Sequence, residues 1–218
     1  MQGRGLVPWL PFSLTPRNNF AFQFTYGRMK AEVNVVKIIP FEEKYREDMY
    51  AICIDTGSKD NLVNREHRDF SILMYCKPYL DHGRCFLLLD EEEKPQGYIL
   101  CADTGREFLA QMQTYMQKIR KVAPSFAHRC DIREYEKYVE EYPAHLHIDI
   151  RECYTGHGRG TALMKTLLES LQKDKVEGIM VVVGADNTRA YNFYQKMGFK
   201  ILEENSLGAA LGRKLSSE

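Results

Sequence analysis

The chain has 218 residues, of which 44% are hydrophobic and 28% are charged, a composition typical of a folded globular protein. Thirty Lys and Arg residues balance thirty Asp and Glu residues, so no net field draws the protein to nucleic acid or to an anionic membrane. No apolar run approaches the roughly 20 residues that a membrane-spanning helix needs.

The first 28 residues differ from the rest of the chain. They contain three arginines and no acidic residue, and Pro8, Pro11 and Pro16 interrupt the apolar stretch that a secretory signal would need. We therefore expect a disordered extension over 1–28 and a single domain over 29–218, with Met29 as the natural start.

The hydrophobic pattern then alternates between short β-branched runs and longer segments with apolar residues at helical spacing. Strands are predicted at 33–39, 84–89, 96–102, 145–150, 179–183, 199–202 and 207–215. Helices are predicted at 42–53, 65–76, 108–122, 132–142, 160–173 and 188–197. Pro78 is expected to end the second helix, and the third and fourth helices form an insertion between strands 3 and 4. This order indicates an α/β (α+β) architecture with a mixed central sheet of six to seven strands flanked by helices.

The six cysteines form no CxxC pair, so the sequence predicts no zinc-ribbon or thioredoxin-type site. We expect free thiols in a reducing compartment, and hence a cytoplasmic protein without a metal site. Cys153 precedes a predicted helix start, where the pKa of a thiol can fall. It is either a nucleophile that needs a base nearby or an ordinary loop cysteine.

A glycine-rich turn links the strand at 145–150 to the helix that follows, and residues 155–160 read TGHGRG. Glycines permit positive φ and the close approach of a ligand, and a helix N-terminus presents unpaired N–H groups. The turn therefore suits a pyrophosphate, with a plain strand-to-helix turn as the alternative. A P-loop is excluded because no lysine follows Gly160, and a dinucleotide site is disfavoured because Thr161 occupies its third glycine position.

Two motifs together resemble the GNAT superfamily of N-acetyltransferases. The hexapeptide TGHGRG is similar to the acetyl-CoA signature Q/R-x-x-G-x-G/A, with Thr155 in place of the leading side chain that steadies the loop. About 30 residues further on, residues 185–204 read ADNTRAYNFYQKMGFKILEE and resemble the second signature, N..A..FY.K.GF. The resemblance implies a GNAT fold and the transfer of an acetyl group from acetyl-CoA to a primary amine, directly, in a ternary complex.

A narrower resemblance lies within the superfamily. The segment LHIDIRECYTG, the helical insertion and the ending LGRKL are similar to the acetyltransferase-like domain of animal O-GlcNAcases. Those domains lack the glycine-rich turn and are regarded as pseudo-acetyltransferases. Because this chain keeps the turn, the resemblance implies that CoA binding survives here.

The resemblance also implies where the cofactor lies. The backbone of residues 148–150 would pair with the pantetheine arm, which requires this strand to splay from the strand at 179–183. Arg159 and Lys165 either add charge beside the pyrophosphate or lie on the surface, and Asn187 either contacts the cofactor or caps the following helix. The predicted cofactor-binding residues are Ile148, Asp149, Ile150, Thr155, Gly156, His157, Gly158, Arg159, Gly160, Thr161, Asn187 and Tyr194.

Tyr194 is the predicted general acid, since a phenol can protonate a departing thiolate; a packing tyrosine is the alternative. His145, His147 and Asp149 share one face of their strand by its two-residue period. We prefer Asp149 as the base, because the O-GlcNAcase-like domains also have an acid there, with His147 as the alternative. A backbone N–H of the splayed strand would polarise the carbonyl oxygen.

Two other functions stay open at this point. One is a catalytically silent module that binds CoA or a peptide, and the other is transfer of a longer acyl group or transfer to a different acceptor. The acceptor is expected to carry an amine, on a small molecule or a protein lysine, and the insertion at about 104–143 to wall its site. A homodimer through the sheet edge is a further expectation.

Overall fold

The computed structural model describes residues 37–215, and these residues fold around one seven-stranded sheet. The strands are β1 (Lys37–Pro40), β2 (Arg84–Leu89), β3 (Pro95–Ala102), β4 (Ala144–Ile150), β5 (Gly178–Gly184), β6 (Lys200–Asn205) and β7 (Gly208–Lys214). The helices are α1 (Arg46–Thr56), α2 (Arg65–Tyr75), α3 (Lys77–His82), α4 (Arg106–Val122), α5 (Arg133–Tyr138), α6 (Arg159–Lys173) and α7 (Thr188–Lys196). The predicted extension over 1–28, the proposed start at Met29 and the first residues of the predicted first strand lie outside this range.

The strand order is β1-β2-β3-β4-β5-β7-β6. Neighbouring strands run antiparallel except for β4 and β5, which pair in parallel at the centre of the sheet. Helices α4 and α5, with a 3-10 helix at Pro124–Arg129 between them, form the predicted insertion between β3 and β4. The mixed, helix-flanked sheet predicted from the sequence is therefore confirmed.

Each face of the sheet has its own apolar core, because successive side chains of a strand point to opposite faces. Helices α1 to α5 cover one face, which we call the insertion face. Helices α6 and α7 cover the other, which we call the α6 face. The fully buried Leu163, Leu167 and Leu171 attach α6 to the sheet, and burying such a side chain stabilises a fold by about 1.5–3 kcal/mol. Both ends of the β4–β5 region are thereby fixed between two packed layers.

Two predicted helices differ from the observed ones, and the short helix α3 was not predicted. The first helix, predicted at 42–53, is Arg46–Thr56, with a separate 3-10 helix at Glu43–Tyr45 before it. Pro78 does not end the helical region but starts α3, because the first turn of a helix needs no N–H from its residues. Helix α5 ends at Tyr138 instead of 142, and residues 139–141 form a turn that leads to Pro143. No helix within residues 37–215 is long and apolar enough to cross a membrane. The six cysteines, all within that range, are free, and Cys153 is exposed.

Candidate active site

The centre of the sheet opens between β4 and β5. These strands pair only at Ala144 with Ile179 and at His145 with Met180. Beyond that point β4 stays paired with β3 as far as Ile150, while β5 stays paired with β7. Residues 146–150 of β4 therefore present one backbone edge to a gap instead of to a neighbouring strand. This is the separation that an added pantetheine strand requires.

The glycine-rich turn lies at the end of β4 and has an unusual backbone. Gly156, His157 and Gly158 all have positive φ, at 87°, 49° and 74°. A Cβ atom added at either glycine would meet nothing within 4 Å, so backbone conformation, and not packing, requires glycine there. At His157 a non-glycine residue holds the same left-handed region, which is uncommon.

The turn also presents free donors. Within residues 37–215, no acceptor receives the backbone N–H groups of residues 156, 157, 158, 160 or 161. They precede or begin the 15-residue helix α6, whose positive dipole end points the same way. This combination of unpaired donors and a helix N-terminus is an anion-binding arrangement.

Arg159 is buried, so the alternative that its side chain lies on the surface is wrong. Its side chain is buried, and its guanidinium lies over the ring of Tyr154 at 5.5 Å and donates to the Tyr154 carbonyl oxygen at 3.1 Å. Its Nε is buried and contacts no acceptor among the described residues. Arg159 thus ties the start of α6 to the loop before the turn, while the Thr155 hydroxyl donates to Glu152.

The other candidate cofactor residues lie at the cap of α7, on the surface of α6 and on strand β4. Asn187 is the N-cap of α7, where its side-chain oxygen accepts the N–H of Ala190 at 3.0 Å. Lys165 is exposed on α6, and Ile148 and Ile150 are half-buried on the α6 face of β4. The cap role predicted for Asn187 is therefore present, and it leaves the amide nitrogen for another contact.

Tyr194 and Asp149 lie on opposite faces of the sheet. The Tyr194 ring is buried on the α6 face, edge-on to Phe199 with ring centroids 5.5 Å apart. Asp149 is half-buried on the insertion face, directly across the β3–β4 ladder from Tyr98. The negative charge of Asp149 nevertheless acts on the Tyr194 hydroxyl. The two groups therefore lie within electrostatic range of each other.

The pKa values of the Asp149 carboxyl and the Tyr194 hydroxyl differ in the way that acid–base catalysis needs. Burial raises the pKa of the Asp149 carboxyl from 3.8 to about 6, and the Tyr98 hydroxyl beside it opposes the rise. Burial also raises the pKa of the Tyr194 hydroxyl, and the Asp149 charge raises it further. At neutral pH the pair is a carboxylate beside a protonated phenol. Such a pair supplies one proton acceptor and one proton donor.

The two histidines of β4 have structural surroundings. His147 Nε2 lies 2.9 Å from the Tyr79 hydroxyl, and burial lowers the pKa of His147 to about 4. The buried His145 ring stacks on Tyr135 with centroids 3.9 Å apart, and burial holds its pKa well below the usual range. Both rings are neutral at physiological pH and His147 is a weak base, which favours Asp149 over His147.

Sequence reasoning missed two residues beside this centre. Tyr98 affects the pKa of Asp149 from the adjacent strand, and Tyr135 of α5 stacks on His145. The pairing register of β3 with β4 would have revealed Tyr98, but no local sequence signal fixes that register.

The family model for acetyltransferases (GNAT) matches residues 47–199, which include the gap, the turn and the Asp149–Tyr194 pair. The chain belongs to this family, and it is a GNAT-family N-acetyltransferase.

Solved structures share the fold. The crystal structure of SsHAT is 26% identical, covers 83% of this chain and 98% of its own, and superposes with a TM-score of 0.67. A histone acetyltransferase HPA2 and related acetyltransferase from Corynebacterium glutamicum is 15% identical, with coverages of 83% and 97% and a TM-score of 0.59. An N-acetyltransferase from Staphylococcus aureus Mu50 is 13% identical, with coverages of 84% and 99% and a TM-score of 0.54. The last two show the fold alone.

Proposed function

We propose that the protein transfers the acetyl group of acetyl-CoA to a primary amine by direct attack within a ternary complex. The observation that carries the proposal is the gap between β4 and β5, with an anion-binding turn at the end of β4 and Asp149 on the separated part of that strand, within electrostatic range of Tyr194. The family assignment supplies the acetyl transfer, and these residues supply the binding and the acid–base chemistry.

The chain's own groups fit acetyl-CoA along one path. The free edge of β4 offers N–H and C=O groups that pair with the two amides of the pantetheine arm, as an added strand would. The unpaired N–H groups of the turn receive the pyrophosphate, and the buried Arg159 adds a positive charge behind them. The cofactor thus satisfies backbone groups that the fold itself leaves unpaired.

The chemistry needs one proton removed and one delivered. The neutral amine attacks the acetyl carbonyl carbon with its nitrogen lone pair, and Asp149 accepts the proton that the nitrogen loses as the new C–N bond forms. A backbone N–H at the β4 edge donates to the carbonyl oxygen as negative charge develops there. When the C–S bond breaks, Tyr194 gives its proton to the leaving sulfur. Amide and free thiol are the products.

The direct test of cofactor binding is calorimetric titration with acetyl-CoA, with dephospho-CoA and NAD as comparisons. We expect micromolar binding of acetyl-CoA and weaker binding of the other two. In Gly158→Ala, a Cβ must occupy a backbone with φ of 74°, a strain of roughly 1–2 kcal/mol, so acetyl-CoA should bind about tenfold more weakly.

Gly198→Ala is the matched control for that variant. Gly198 has a φ of 83° and lies between α7 and β6, away from the turn. It carries a comparable backbone strain, so its stability should fall while its affinity for acetyl-CoA is kept. Equal affinities in wild type and both variants would rule out the turn as the pyrophosphate site.

The catalytically silent module is the competing function. It is favoured if acetyl-CoA binds but no amine is acetylated, and the present proposal then fails at its chemical step. The narrower resemblance to the O-GlcNAcase-like domain stays a prediction from the sequence.

A further inference from the structure

A cavity lies on the insertion face and is separate from the glycine-rich turn. We call the gap between β4 and β5, with Asp149 and Tyr194, the transfer centre, and the cavity lies beside it. The cavity has a volume of ≈ 280 Å³ and lies between α5 and the adjoining strands β5, β6 and β7. Its floor is apolar and includes Val182 and Ala210. Charged side chains of α5 form its rim, together with Glu203 of β6. A cavity of this kind suits a ligand with an apolar body and a charged end.

The rim has one carboxylate without a counter-ion. Lys137 pairs with Glu203 at 2.6 Å, and Arg133 pairs with Asp131. Among the ion pairs of residues 37–215, none includes Glu134. One Glu134 oxygen, Oε2, is buried and receives no hydrogen bond from the described residues.

An unpaired carboxylate in partly buried surroundings is costly for the free protein. Burial raises the pKa of the Glu134 carboxyl, and the charges of Asp131 and Glu203 raise it further, whereas a hydrogen bond from its own backbone N–H and the charge of Arg133 oppose the rise without cancelling it. A cation placed in the cavity would offset this cost, whereas an anion would increase it. The missing partner of the Glu134 carboxylate is therefore a positively charged group.

Tyr135 contacts strand β4 next to the cavity residue Glu134. It follows Glu134 on α5, and its ring stacks on His145 of β4. Burial raises the pKa of the Tyr135 hydroxyl, and nearby Tyr75, Glu134 and Tyr194 contribute in turn. The Tyr135 hydroxyl thus lies within electrostatic reach of both the Glu134 carboxylate and the Tyr194 phenol.

The end of β5 connects the two places along the sheet. Residues Val182, Val183 and Gly184 line the cavity, and they belong to the part of β5 that has separated from β4. A molecule whose reactive amine lies at the gap can therefore extend over this strand end into the cavity.

We propose that the cavity holds the part of the acceptor beyond its reactive amine, and that Glu134 pairs with a second cationic group across an aliphatic segment. This inference rests on the proposed function and names its substrate class: an aliphatic amine whose far end is positively charged. The apolar floor receives the methylene chain of the acceptor. The ion pair between Glu134 and the second cationic group makes acceptors with such a group the preferred substrates.

The test compares three acceptors of equal chain length, an alkylamine ending in ammonium, in methyl or in carboxylate. With wild-type protein and saturating acetyl-CoA, we expect kcat/KM for the diamine to exceed that of the monoamine by about tenfold, in line with a charge-assisted pair. The amino acid should be the poorest acceptor. Equal values for all three, or a preference for carboxylate, would overturn the inference without any variant.

Glu134→Gln then isolates the carboxylate. The diamine should lose its advantage and fall to the value of the monoamine, while kcat/KM for the monoamine stays unchanged. Glu136→Gln is the control, because Glu136 is exposed on the same helix and does not line the cavity. A diamine preference that survives in Glu134→Gln refutes the assignment.

The titration with acetyl-CoA separates this result from failure of the proposed function. If acetyl-CoA binds and amines are acetylated without preference for a cationic end, the acceptor class is wrong and the function stands. If acetyl-CoA does not bind, the proposed function falls, and the substrate class falls with it.

Discussion

Replacing Asp149 by Asn should lower activity and raise stability at the same time. The carboxyl has a pKa of about 6 in the fold against 3.8 ordinarily, because burial disfavours its charge. A raised pKa in a carboxylic acid means that the ionised form destabilises the folded state. This destabilisation is absent below about pH 4, where Asp149 is protonated in both the folded and the unfolded state. It is fully present at about pH 8.

The size of the effect follows from the shift. At about 1.4 kcal/mol for each tenfold change in proton affinity, the ionised carboxylate costs the fold up to about 3 kcal/mol, and half-burial places the expected gain nearer 1–2 kcal/mol. Asn has a similar shape and no charge, so it removes this penalty. Loss of the base should lower kcat/KM by about 10²–10⁴-fold.

Urea unfolding at about pH 8 and about pH 4.5 measures the first effect, and initial rates of amine acetylation measure the second. We expect the free energy of unfolding of Asp149→Asn to exceed wild type at the higher pH and to approach it at the lower pH. Asp186→Asn is the control, because Asp186 is exposed. A variant that is less stable than wild type at both pH values, or that keeps full activity, would show that the reasoning about Asp149 is wrong.

Two further variants test Tyr194 as the general acid and the effect of Tyr98 on the pKa of Asp149. Tyr194→Phe should lower kcat by about 10²-fold while acetyl-CoA affinity in a calorimetric titration is kept, and an unchanged kcat would remove Tyr194 from the chemistry. Tyr98→Phe removes the hydroxyl that holds down the pKa of Asp149, so the acidic limb of the kcat/KM profile, expected near pH 6, should move to higher pH. A limb that stays in place would mean that another group titrates there.

The features predicted well from the sequence are those that depend on neighbours along the chain. The glycines at 156 and 158 indicated positive φ, and both have it. The period of the β4 side chains placed His145, His147 and Asp149 on one face, and their cross-strand partners confirm it. These are local consequences of backbone geometry, which a short stretch of sequence determines.

The missed features depend on residues far apart in the chain. Arg159 carries a charge and begins a helix, so its pattern is that of a surface residue, yet the loop at Tyr154 covers it. Tyr98 reaches Asp149 only through the β3–β4 register. Glu134 lines a cavity whose other walls lie about 50–75 residues further along the chain. No periodicity in the sequence reports such contacts, because they arise when separate elements pack together.

The separation of β4 from β5 links cofactor binding to acid–base chemistry in this fold. In a continuous sheet, a tyrosine beneath it and a carboxylate above it would be kept apart by the backbone layer. Here the strands part after His145, which leaves a backbone edge of β4 free, and the charge of Asp149 acts on the Tyr194 hydroxyl from the opposite face. Unpaired backbone groups in such a place cost about 1–3 kcal/mol each when they are buried without a partner. In the proposed function, a ligand that pairs with that edge would therefore relieve the fold beside the proposed acid and base, so that one gap would serve both tasks.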